Sequence, residues 1–106
     1  MAANPPPDTI ESFRSDGACV LRGVFGAWVR TLQAGIARNL AAPSADVKIY
    51  QGKHGAGRFV GDYCNWARIP EYKDFIFNSG AAEIGRQLMG SKSVRLFHEH
   101  VLVKEP

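Results

Sequence analysis

The feature that most constrains this chain is its last segment, residues 93–105, where Val94, Leu96, Phe97, Val101, Leu102 and Val103 crowd together with no proline or glycine before Pro106. So many β-branched and aromatic residues in one stretch predict a long strand. A strand needs partners and a layer to cover one face, so the remaining residues must supply both. Further strands are predicted over 18–21 (Ala18, Cys19, Val20, Leu21) and 47–50 (Val47, Lys48, Ile49, Tyr50). Residues 58–66 read as a strand running into an irregular turn, and the glycine-rich stretch 51–57 between them as a loop or hairpin tip.

The covering layer is helical. Trp28, Leu32, Ile36 and Leu40 recur every four positions while Arg30, Gln33, Arg38 and Asn39 fall mostly off that stripe, which predicts a helix over 26–40 ended by Pro43. Asp8 and Glu11 stand at capping-box spacing and Gly17 where a left-handed C-cap belongs, so a short helix should end near Asp16. Pro70 suits the first turn of a helix through Phe77, and Ser79 the N-cap of another over 80–89, closed by Gly90. Asn4 and the three prolines after it predict a disordered leader over residues 1–7, with one domain over 8–106. The expected class is α+β.

Composition excludes several functions. With 106 residues, 45% of them hydrophobic, the chain suits one packed domain, and its apolar runs fall well short of the roughly 20 residues of a membrane span. Residues 1–7 have neither a basic cluster nor an apolar stretch, so no secretory signal is read there. Cys19 and Cys64 match no paired ligand spacing and are expected to be free thiols in the cytoplasm, more often buried small groups than nucleophiles. The net charge is +3, but the basic residues are scattered among acids, which argues against a nucleic-acid partner.

The densest group of potential ligands is His98-Glu99-His100. In a strand, His98, His100, Leu102 and Lys104 share one face, with Glu99, Val101 and Val103 on the other. Two readings stay open. The imidazoles, with Glu105, are spaced like the first metal motif of a cupin, or they are polar residues lining a sheet. The glycines 52, 55, 57 and 61 have neither the dinucleotide-binding spacing nor a Walker lysine, so a turn is expected. In residues 62–66, Asp62 and Asn65 either satisfy backbone amides while Tyr63 and Trp66 pack, or face a ligand.

Three stretches in order, residues 16–25 (DGACVLRGVF), 59–66 (FVGDYCNW) and 94–106 (VRLFHEHVLVKEP), resemble the phytanoyl-CoA dioxygenase family from about Ile10 to Pro106. The resemblance implies an iron(II)- and 2-oxoglutarate-dependent oxygenase on a double-stranded β-helix, of which this chain is the N-terminal portion. It implies hydroxylation of a small organic substrate by the full-length protein, and a strand at 97–104 that lines the cosubstrate pocket. His100 matches a position that contacts 2-oxoglutarate in some members, and His98 and Lys104 share its face. The His-x-Asp pair and the distal histidine of the iron triad have no counterpart in this sequence, so the chain is expected to be inactive alone and to bind neither iron nor cosubstrate tightly. A strand edge left unpaired would favour self-association.

Overall fold

The structure, a computed structural model, describes residues 4–106. It is α+β: four α-helices, α1 (Pro7–Asp16), α2 (Val29–Ala41), α3 (Pro70–Asn78) and α4 (Ala81–Met89), with three strands, β1 (Lys48–Gln51), β2 (Arg58–Tyr63) and β3 (His100–Lys104). The strands form one antiparallel sheet in the order β1-β2-β3. The link from β1 to β2 is a tight hairpin in which the Gly52 amide donates to the Gly57 carbonyl at 3.2 Å.

The stripe of α2 and the inner face of α3 pack together, α4 meets both α3 and α1, and Asn39 of α2 is hydrogen-bonded to Asp62 of β2. Gly35 makes the α2–α3 approach possible, since a Cβ there would lie 2.8 Å from the Tyr72 ring. Among the described residues, Val60, Ile69, Tyr72 and Ile84 form the buried hydrophobic core. Phe25 and Trp28 meet Phe75 edge-on, with ring centroids 5.1 and 5.7 Å away, and fix the entry to α2 against α3.

Several expectations need correction. Residues 18–21 are irregular, and Val20 is well exposed, because no neighbouring strand offers them a ladder among the described residues. The predicted strand 93–105 pairs over His100–Lys104 alone, because β2 ends at Tyr63 and Cys64 turns the chain away with φ 61°. Residues 91–98 therefore lack a partner strand among the described residues. Pro6, not Asp8, precedes α1, and Asp8 instead accepts from the next amide, Thr9, at 2.9 Å. Left-handed Gly80 is the residue ahead of α4, while Ser79 accepts from the Ala81 amide at 3.2 Å. Of the leader 1–7, residues 1–3 lie outside the described residues, Pro5 is buried, and Pro7 already belongs to α1. Gly17 and Gly90 close α1 and α4 in left-handed conformation, as their positions predict.

Candidate functional site

The register puts two unlike faces on the sheet. Tyr63 stands opposite His100, Gly61 opposite Leu102, and Phe59 opposite Lys104. Across the other ladder, Lys48 faces Gly61 and Tyr50 faces Phe59. Strand alternation therefore gathers Lys48, Tyr50, Phe59, Tyr63, His100, Leu102 and Lys104 on the side away from the helices. His100, Leu102 and Lys104 are exposed while Val101 and Val103 between them are half-buried. The three strands contain one acid, Asp62, which alternation puts on the helix side.

The imidazoles sit within an aromatic group at one end of this face. The Tyr63 ring lies 5.5 Å from His100 and 6.1 Å from His98, both edge-on, and the two imidazole centroids are 6.4 Å apart. Phe97 packs on His98 at 4.7 Å. Gly61 leaves room for this arrangement, because a Cβ there would come within 3.3 Å of both His100 Nε2 and Leu102 Cδ2.

The structure brings His98 and His100 together and puts Lys104 on the same face. It does not bring Glu105 to them: that carboxylate is engaged by Arg58 at 2.8 Å, so the cupin-like set does not converge. No group of three or more His, Cys, Asp or Glu suited to a metal occurs among the described residues. The open face presents two lysines, two imidazoles and no acid. Both cysteines are free thiols; Cys64 is exposed and Cys19 half-buried.

The sequence left open whether Asp62 satisfies backbone amides or faces a ligand; it lies buried on the opposite side of the sheet, in a network whose other members the sequence did not point to. Asp62 is 2% exposed and accepts four hydrogen bonds, from Asn39 Nδ2 at 2.9 Å, the Ser44 amide at 2.8 Å, the Ser44 hydroxyl at 2.5 Å and the Tyr63 amide at 3.0 Å. Tyr72 donates its hydroxyl to Asn39 Oδ1 at 3.0 Å and so joins α3 to the same network. Burial pushes the Asp62 pKa up, but hydrogen bonds from Ser44, Asn39 and Asn65 outweigh it and hold the carboxyl at about 2. Burial, with Glu99 and Asp62 nearby, raises the Tyr72 phenol to about 12. Asn65 receives Arg68 Nε at 2.8 Å and donates to the Tyr63 carbonyl at 3.2 Å. Asp62 and Asn65 thus serve the turn and the core, not the open face. The one signal available in the sequence was an acid placed in phase with the buried Val60.

Compared with family models, with curated proteins and with solved structures, the chain matches none.

Proposed function

We propose that this chain forms the N-terminal portion of an iron(II)- and 2-oxoglutarate-dependent oxygenase of the phytanoyl-CoA dioxygenase kind, with the open sheet face as the wall that receives the cosubstrate. One observation carries the reading: His100, Lys104 and Lys48 stand among Tyr50, Phe59 and Tyr63 on a face without a single carboxylate. A dicarboxylate approaching it meets hydrogen-bond donors and cations over a hydrophobic floor, and nothing there repels it.

In the double-stranded β-helix of this proposal, further strands close over the open face, and the full-length protein hydroxylates a small organic substrate. Iron(II), where bound, supplies the activation of dioxygen; the described residues do not hold it. Their part is to bind and orient the 2-oxo acid. His100 and Lys104 lie about 13 Å apart along the strand, so the flexible Lys104 stem must lean back for both to meet one ligand. Tyr63 meets the His100 ring edge-on, and Gly61 leaves room for it.

Calorimetric titration with 2-oxoglutarate tests the proposal. His100→Ala and Lys104→Ala should each weaken binding about fivefold or more, as loss of a charge-assisted contact of roughly 1–3 kcal/mol requires. Absence of binding, or binding indifferent to both substitutions, would overturn it.

A further inference from the structure

The open face of the sheet has two unlike ends. His98, His100 and Tyr63 lie at one end, while Tyr50 and Phe59 form a cross-strand pair at the other, with Lys104 opposite Phe59 on its far side. Phe59 and Tyr63 stand four residues apart on β2, so the ends are about 13 Å apart. In the proposed seat for the 2-oxo acid, Lys104 leans back toward His100 and leaves the aromatic pair uncovered. The Tyr50 and Phe59 rings have centroids 6.2 Å apart and a 40° tilt, which makes a shallow floor and not a closed stack. Tyr50 is 63% exposed on the edge strand β1. Lys48, two residues before it on the same face, is exposed, and the hairpin tip adds exposed Lys53 and His54. Lys48, Lys53 and Lys104 enter no ion pair among the described residues.

An exposed aromatic pair edged by unpaired cations is complementary to a flat ring that carries an anion. The two side chains supply contact area and directed ring contacts, and a lysine supplies a charge-assisted hydrogen bond. A cationic ligand is selected against, since the three strands put no acid on this face. We propose that the organic substrate of the oxygenase reading is a planar aromatic carboxylate, seated on Tyr50 and Phe59 with its carboxylate toward Lys48, beside the 2-oxo acid and not in its place. The inference rests on that reading, because it takes the seat at His100 as filled by the cosubstrate. Two fused rings suffice to cover both side chains, given the 6.2 Å between their centroids. Between Phe59 and Tyr63, β2 contributes only Gly61 to this face, so no side chain of β2 separates the two ligands.

The test uses three probes of related shape, titrated into the isotope-labelled chain and followed by NMR, each with and without saturating 2-oxoglutarate. They are 2-naphthoate, naphthalene-2-methanol, which lacks the charge, and decahydro-2-naphthoate, which lacks the flat ring. 2-Naphthoate should bind about fivefold or more tightly than either of the others and shift Lys48, Tyr50 and Phe59. Its affinity should stay within about threefold when 2-oxoglutarate is present, as two separate seats require. Tyr50→Ala should weaken 2-naphthoate about fivefold and 2-oxoglutarate less. Equal affinity for the three probes would overturn the proposal, and so would displacement of 2-naphthoate by 2-oxoglutarate, which would show a single anion seat. If 2-oxoglutarate binds and 2-naphthoate does not, this inference alone fails; if 2-oxoglutarate does not bind, the cosubstrate reading fails and takes the inference with it. The wild-type comparison decides the matter even if the Tyr50 variant fails to fold.

Discussion

Replacing Asp62 by Asn should remove more stability at neutral pH than in acid, and the structure sets the size of both effects. The carboxylate takes four donors, two on each oxygen. An amide in its place accepts at one atom and presents N–H groups at the other, so the Tyr63 or Ser44 backbone amide loses its acceptor next to buried Asn39. The loss of charge assistance together with one unsatisfied buried donor amounts to about 3 kcal/mol. The pH dependence follows from the depressed pKa. Asp62 titrates at about 2 in the folded chain, against an ordinary 3.8. Its ionised form therefore contributes about 2 kcal/mol that is fully present well above pH 4 and is mostly lost by pH 2. Urea denaturation of wild type and Asp62→Asn at pH 7 and pH 2 reads both quantities. The stability gap between the proteins should narrow by about 2 kcal/mol on acidification. A gap that stays constant across this range, or a loss below about 1 kcal/mol at pH 7, would refute the hydrogen-bonded account of Asp62.

Two further outcomes follow from packing. Gly35→Ala gains close to 1 kcal/mol of helix propensity, but its methyl would sit 2.8 Å from Tyr72 Cε1 and 3.0 Å from Glu71 Cβ, so the net effect in thermal or urea unfolding should be a loss of about 1–2 kcal/mol. Phe97 is 92% exposed beside the free edge of β3, so sedimentation velocity should show concentration-dependent association that Phe97→Ser reduces; a monodisperse wild-type monomer would count against an active edge.

The helices were legible because each carries its own local signal. The four-residue spacing of Trp28, Leu32, Ile36 and Leu40 marks α2, Pro70 opens α3, and Gly17 and Gly90 stop α1 and α4. Strand extent was not legible, because pairing is decided elsewhere. Residues 93–98 have strand-forming composition, yet β2 leaves the sheet at Cys64, and the Cys64 amide donates to the Glu99 carbonyl at 3.1 Å where the ladder stops. The face assignment of His100 and Lys104 needed alternation alone and was readable, whereas His98 lies ahead of β3 and joins His100 through the aromatic group around Tyr63. The network of Asn39, Ser44, Asp62 and Tyr72 was not, because its members lie on separate elements and meet only when α2, α3 and β2 have packed.

The central claim, that the acid-free face of the sheet is a seat for a dicarboxylate, is tested most directly by mapping backbone and imidazole NMR shifts during titration with 2-oxoglutarate and, in parallel, with 2-oxobutyrate, which lacks the second carboxylate. The account predicts saturable binding near about 1 mM, shifts centred on Lys48, Tyr63, His100 and Lys104, and an affinity for 2-oxobutyrate about tenfold lower. Equal response to the two acids, shifts on the helix side alone, or no saturation would contradict it.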